Sequence, residues 1–281
     1  MADAKAIKRR IRSASNMKQI ISAMELVSVV KMQKAVNKDL TSRVFTDTAS
    51  RMLSQVCGDA EMASHPLLTT NGAERQLVIT ISSDRGLCGA LNNRIIKETS
   101  IQANEVETDF IVIGKKVRDF CNHHCLTVLS EYEEMGDNLE FARILPIIQQ
   151  AVEAYLAGTY HSVKVIYTHF ESSLSQIPKV VQLLPFEVNV DCLRDTDVIF
   201  EPDKHEIINT LVPRIVETQL WQYLLEAAAS EHSARMMAMK NASDNAEDLI
   251  YDLTLSYNQT RQAGITREIA EISAGKMTLE G

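Results

Sequence analysis

Three clusters in this chain have residue types and spacings that could do chemistry. The first, Ser83-Asp84-Arg85-Gly86-Leu87-Cys88-Gly89, follows a short apolar run at 77–81 and precedes a stretch of helical character. Strand, glycine-containing turn and helix are the parts of a phosphate-binding loop, because backbone N–H groups at a helix start face an anion. This turn has neither G-x-G-x-x-G nor G-x-x-x-x-G-K-S/T spacing. It offers no lysine for a phosphate and no acid placed for a ribose, so it reads as a structural turn. The second cluster, Cys121-Asn-His-His-Cys125, resembles half of a zinc site, but zinc usually takes four ligands from two separated pairs. No second pair follows at useful spacing, and only folding could bring His161, His169 or Cys192 to it. The third, Glu131, Glu133 and Glu134 beside Gly136-Asp137-Asn138, has carboxylates for acid–base work but reads as a solvated loop. No nucleophile signature such as G-x-S-x-G is present. No catalytic, cofactor or metal residue is assigned, and no cofactor is expected.

The elements around these clusters are more informative. Residues 1–57 contain neither proline nor glycine, and residues 203–281 contain only Pro213 and glycines at 264, 275 and 281. Ordinary helices run about 8–20 residues unbroken. At ~1.5 Å per residue these two segments reach roughly 85 and 110 Å. Wrapping the two around each other is the simplest way to bury their apolar stripes. The spacing of Ile7, Ile11, Ala14, Met17, Ile21, Met24 and Val27 predicts one seam, continued less regularly by Leu40, Val44, Met52, Leu53 and Val56. Leu211, Ile215, Leu225, Met236, Met239, Ala246, Leu249 and Leu253 predict the other. Pro213 is expected to kink the second helix or to mark its true start. The methionines on both helices suit either adaptable packing or a conformable surface that slides on a partner.

Between the helices, strands are predicted at 77–81, 109–113, 125–129 and 163–168, with an extended stretch at 177–188 and helices at 90–105, 115–123 and 139–157. This alternation implies an α/β domain with a mostly parallel sheet. The organisation read from the sequence is an N-terminal shaft helix, 1–57, a linker, 58–75, an α/β domain, 76–190, an acidic connector, 191–204, and a C-terminal shaft helix, 205–281.

The chain has 281 residues, a net charge of −8 and five cysteines without framework spacing, which favours reduced thiols. No apolar run approaches the ~20 residues that span a bilayer, so any membrane association is expected through partners. Residues 1–57 carry eleven Lys and Arg against four Asp and Glu, whereas the rest carries eighteen against thirty-three. This basic stripe fits an acidic partner. Nucleic acid is disfavoured, because the stripe lacks interleaved aromatics and the whole chain is acidic.

Four stretches, in order, resemble one family. They are Ile7-Lys-Arg-Arg-Ile11-Arg-Ser13 with Asn16-Met-Lys-Gln-Ile-Ile-Ser-Ala-Met24-Glu25; Ser83 to Gly89; Ala234-Arg-Met-Met-Ala-Met-Lys240 with Ala242 and Asn245-Ala246; and Asn258, Arg261-Gln262, Ile265-Thr266-Arg-Glu268, Glu271-Ile272 and Gly275. Together they are similar to the gamma subunit of bacterial-type F-type ATP synthases, over essentially the whole chain. Lys276, where the family commonly has a small residue, and Pro213 depart from its pattern.

The resemblance implies a long antiparallel coiled coil of the terminal helices with an α/β domain. It implies a non-catalytic central rotor shaft that couples turning of an ion-driven c-ring to conformational changes in catalytic beta subunits. The implied partners are the alpha and beta subunits, epsilon and the c-ring, at the cytoplasmic face of the bacterial inner membrane. Carried over by position, the implied contacts with alpha and beta are Lys18, Met24, Glu25, Arg261, Gln262 and the turn Asp84, Arg85, Gly86, Leu87 and Cys88. The implied contacts with the c-ring and epsilon are Phe200, Glu201, Pro202 and Asp203. A non-rotating coiled-coil adaptor and a nucleotide-binding enzyme built on the α/β segment are the alternatives.

Overall fold

The computed structural model describes residues 2–56, 65–136, 139–187 and 204–280. The chain falls into two compact units, one of residues 29–235 and one of residues 1–28 with 236–281. Helix α1, Ala2–Val56, and helix α5, Lys204–Glu280, each contribute to both.

The larger unit is built on a five-stranded sheet of β1 (Arg75–Ile81), β2 (Thr108–Ile113), β3 (Val128–Tyr132), β4 (Tyr160–Phe170) and β5 (Gln176–Leu184), in the order β3-β2-β1-β4-β5. The pairs β1–β2, β1–β4 and β2–β3 are parallel, and β4–β5 is antiparallel. Strands covered on both faces have no solvent side, so they read as continuous apolar runs, as Leu-Val-Ile-Thr-Ile in β1 does. One face carries Val78, Phe110, Val112 and Ile166 against Ile95 of α2 (Leu91–Glu105) and Val117 and Cys121 of α3 (Lys115–His123). The other carries Leu77, Ile79, Ile111 and Val165, with α4 (Leu145–Leu156) and buried residues of α1 and α5 such as Leu53, Ile215 and Leu220. Gly114, which joins β2 to α3, has φ +98°, and a Cβ there would lie 2.3 Å from the Ser82 carbonyl oxygen. Only glycine fits that turn.

Two expectations shift. The third strand begins at Val128, not residue 125, because α3 extends through His123 and its end is closed by a Leu126 N–H bond to the Cys121 carbonyl (3.0 Å). Cys125 there takes φ +53°, outside extended geometry. Pro213 does not start α5, which begins at Lys204 and runs through it. The bond that proline cannot make is offset by the burial of Val212, Ile215 and Val216 around it.

In the terminal unit α1 and α5 run antiparallel. Lys18 Nζ lies 2.9 Å from Glu247, and four residues on, Ser22 Oγ lies 3.3 Å from Ser243 Oγ. Positions 4, 7, 11, 14, 18, 21, 25 and 28 of α1 are among the shielded ones, at the 3.5-residue step of a supercoiled pair. Of the predicted seam from Ile7 to Val27, Ile7, Ile11, Ala14, Ile21 and Met24 are shielded, and the ~3.3-residue step of that reading misplaces only Met17 and Val27. Met17 (54% exposed) and Val27 (55%) lie outside it, and Lys18, Glu25 and buried Ser28 lie in it. Leu40, Val44, Met52 and Leu249, also expected inside, are exposed.

Candidate functional site

The C-terminal ends of parallel strands, where strand order reverses, are where open α/β sheets bind ligands. Here that crevice lies beyond β1 and β4, and α5 fills it with Leu224, Ala227, Ala228 and Glu231. The cavity left among them and Ser82, Asp84 and Thr168 is about 20 Å³, room for one water and not for a nucleotide.

The turn 83–89 is pinned from within. Asn92 Nδ2 donates to Ser83 Oγ (2.7 Å) and Cys88 Sγ (3.1 Å), and Ser83 Oγ donates to the Arg85 carbonyl (2.7 Å). Asp84 accepts from the Lys115 N–H (3.2 Å) and the Glu134 N–H (2.9 Å), which ties the turn to α3 and to the segment after β3. Arg235, paired with Glu231 at 2.6 Å, donates to the carbonyls of Arg85 and Gly86. The turn therefore buries Ser83 and Cys88 and presents Arg85, Gly86 and Leu87. Leu87 is 60% exposed with φ +65°, a left-handed conformation that a leucine side chain disfavours and that the pinned surroundings hold.

The other clusters do not assemble a site. Among the described residues no three metal-ligating side chains converge. Burial pushes the Cys121 thiol up to about 11, with Glu131 adding to the shift, so it is a protonated core residue. His161 Nδ1 meets the Arg75 carbonyl (2.9 Å) and His169 Nδ1 meets Glu226 (2.5 Å). Cys192 lies outside the described residues. Glu133 pairs with Lys115 and Arg118.

Of the remaining sequence-assigned contacts, Lys18 and Glu25 sit at the seam of the terminal unit, and Met24 beside them is half-buried. Arg261 and Gln262 are exposed; Arg261 borders an open groove of about 250 Å³ with Lys8, Tyr257, Gly264 and Glu268. Phe200, Glu201, Pro202 and Asp203 lie outside the described residues, as does most of the acidic connector. The outward faces of the pair are apolar at Met17, Ile20, Leu26 and Val27 on α1 and at Leu249 and Leu255 on α5, and Ile269 and Ile272 lie on the stretch of α5 that runs past the start of α1, all at least 52% exposed.

Sequence reasoning missed a wide groove of about 1100 Å³ in the larger unit. Phe45, Phe141 and Trp221 line it, with Lys34, Lys38 and Arg214 and, among the described residues, no acidic one. Its walls come from three distant stretches of chain, and no local pattern signals it. It also missed a buried cluster in which Arg43 bridges Asp39 (3.0 Å) and Glu226 (3.4 Å).

The family model for ATP synthase matches residues 3–279. The ATP synthase gamma chain of Symbiobacterium thermophilum is 39% identical over 283 residues, covering 99% of this chain and 98% of that one. The gamma chain of Desulfitobacterium hafniense is 39% identical over 282 residues, covering all of both. A chain of the Euglena gracilis mitochondrial ATP synthase has a TM-score of 0.69 at 18% identity, covering 99% of this chain and 94% of that one. A chain of the Tetrahymena thermophila mitochondrial ATP synthase central stalk and c-ring has a TM-score of 0.62 at 24% identity, covering 80% and 99%. The last two establish likeness of fold. A filled crevice, a presented turn, a helix pair with apolar residues facing outward and end-to-end similarity to gamma chains agree on one assignment: this chain belongs to the ATP synthase gamma chain family.

Proposed function

We propose that this chain is the central rotating stalk of a bacterial F-type ATP synthase and carries no catalytic residue of its own. The observation that supports this most is the terminal helix pair, whose outward apolar side chains have no place in a self-sufficient coiled coil. An encircling partner with a dry, low-friction surface would cover them without gripping any one. Such an axle inside a ring of alpha and beta subunits offers each catalytic subunit a different face. A partner that contacts two conformations unequally shifts their populations, and this is how rotation becomes chemistry elsewhere.

The contacts fall into four groups. Met24 and its neighbours on basic α1 face an acidic element of a beta subunit. Arg261, whose planar guanidinium can grip a carboxylate with two parallel hydrogen bonds, forms with Gln262 a latch made and broken as the shaft turns. The turn around Leu87 touches the lower edge of the ring, with Asp84 and Cys88 holding it in shape. Phe200 to Asp203 meet the c-ring and epsilon. Among the described residues no helix is long and apolar enough to cross a membrane, so the chain joins the membrane through those partners, on the cytoplasmic face. The groove with Lys34, Lys38 and Arg214 suits an acidic partner surface.

The test is gentle isolation of the tagged chain with detergent, with subunits identified by mass. Alpha, beta and c subunits with one copy of this chain support the stalk. A preserved complex without a nucleotide-binding ring supports a non-rotating adaptor instead. Within the assembled enzyme, Arg261→Ala should lower ATP turnover by about tenfold, the worth of a lost charge-assisted contact; unchanged turnover removes the latch. Met24→Lys should lower the protons pumped per ATP hydrolysed more than it lowers assembly, because it adds a charge at a contact.

A further inference from the structure

Where α1, α5 and β4 meet in the larger unit, they enclose a cluster whose charges do not match in number. Asp39 and Arg43 lie one turn apart on α1, Glu226 lies on α5 and His169 on β4. Both acids are buried. An Arg43 Nη atom lies 3.0 Å from Asp39 Oδ2 and 3.4 Å from Glu226 Oε1. Two buried carboxyl groups thus face one guanidinium, and a net charge in the interior is costly.

The two acids are served unequally. Glu226 is met by Arg43, by His169 Nδ1 at 2.5 Å from its Oε2 and by the Tyr167 hydroxyl, with Tyr223 stacked on Tyr167. Asp39 accepts from Arg43, and its buried Oδ1 has no hydrogen-bond partner among the described residues. An ionised carboxylate needs partners at both oxygens, so Glu226 carries the negative charge and Asp39 a proton. Burial raises the Asp39 pKa in the same sense; Arg43 opposes that shift, Glu226 adds to it and His169 opposes it. Burial also raises the pKa of both tyrosine hydroxyls, which stay neutral while Asp39 titrates. With neutral His169 donating from Nδ1, one cation then balances one anion.

Ionising Asp39 changes the competition for Arg43. Asp39 is the nearer of the two acids and stands at the i,i+4 spacing at which opposite charges pair along one helix. A charged Asp39 therefore holds Arg43 on α1, and the bridge across to α5 weakens.

We propose that Asp39 is a proton-operated switch on this joint: with a proton it leaves Arg43 to tie α1 to Glu226 of α5, and without one it keeps Arg43 on α1. His169 and Tyr167 of β4 are positioning residues that hold Glu226 for the tie. The joint loosens as pH rises through the Asp39 transition. The switch belongs to the larger unit alone and stands whether or not the chain is a stalk.

The test uses the purified full chain. Infrared spectra taken across pH locate the transition as the carboxylic-acid C=O band that Asp39→Asn removes. Coupling between Arg43 and Glu226 is then read below and above it, from the unfolding constants of the parent, Arg43→Gln, Glu226→Gln and the double variant, followed by fluorescence of Trp221. The coupling should be about fivefold below the transition, the upper range for a part-exposed ion pair, and should largely vanish above it. In an Asp39→Asn background it should be equal at the two pH values; His169 is present in both backgrounds, so its own proton cancels in the comparison. A coupling that does not fall with pH in the parent, or that falls alike in both backgrounds, overturns the proposal, as does the absence of an Asp39 band. If the glutamine variants fail to fold, amide exchange of the parent and Asp39→Asn decides. In the parent, protection of the α5 peptide around Glu226 should fall by up to about tenfold per pH unit through the transition, after correction for the chemical exchange rate, and in Asp39→Asn it should stay level. The same course in both proteins overturns the proposal.

Discussion

The two units of this chain are built from the same helices to opposite rules. In the larger unit, Phe110, Ile79, Ile147, Leu183 and Ile215 are wholly buried, and the sheet is covered on both faces. In the terminal unit the seam mixes Ile7, Ile11 and Ile21 with Ala14, Lys18, Glu25 and Ser28, and Ile20, Leu26 and Leu249 face outward. The first pattern makes a body that folds on its own apolar burial. The second gives up burial to keep an apolar exterior, which is favourable only where another surface covers it. A structure that must hold a shape and one that must move against a partner place their hydrophobic residues differently.

Truncation mutants sharpen that contrast most. Phe110→Ala should cost about 3–5 kcal/mol of stability, seen in thermal unfolding of the purified chain. Ile269→Ala, which removes half as many carbons but from an exposed site, should change the isolated chain by less than about 0.5 kcal/mol. An equal loss at both sites would break the comparison. Gly114→Ala should come next, at roughly 2–3 kcal/mol, because φ and the Ser82 carbonyl both oppose a Cβ.

The smallest expected effect is at Asp39. Burial raises its pKa above the ordinary carboxylate value; Arg43 opposes the shift and Glu226 adds to it. The folded protein then holds a proton that the unfolded chain releases, so Asp39 costs stability as pH rises through that window and most at neutral pH. Asp39→Asn should therefore be slightly more stable than wild type at pH 7, by about 1 kcal/mol or less. The gap should close as pH falls toward the ordinary carboxylate value. A gap that widens in acid would contradict the assignment. Arg43, Glu226 and His169, the other charged or titratable groups near it, remain in both proteins.

Much of this fold is legible in the sequence, because parallel strands covered on both faces announce themselves as short β-branched runs and the long helices lack breakers. β1, β2 and β4 lie where those runs predict. β3 is displaced because Leu126 and Val128 look alike in a pattern, and only the left-handed turn at Cys125 separates helix end from strand. The seam is harder to read. Ile7, Ile11, Ala14, Ile21 and Met24 are shielded as the spacing predicts, but Met17 and Val27 are exposed, and the seam members Lys18, Glu25 and Ser28 carry none of the apolarity that a pattern search follows. The turn at Ser83–Gly89 is visible as a motif, but Asp84's bonds to residues 115 and 134 depend on tertiary folding. The groove at Trp221 joins residues far apart in sequence, and although Asp39 and Arg43 show the i,i+4 spacing of a helix pair, no local spacing encodes the arrival of Glu226 beside them.

The central claim is that this helix pair turns inside a ring, and rotation is the measurement that tests it most directly. The assembled complex is fixed to a surface through its catalytic ring, a bead is attached to this chain, and ATP is supplied. The account predicts continuous rotation of the bead in one direction at a rate that follows ATP hydrolysis. Sustained hydrolysis with the bead stationary would contradict it.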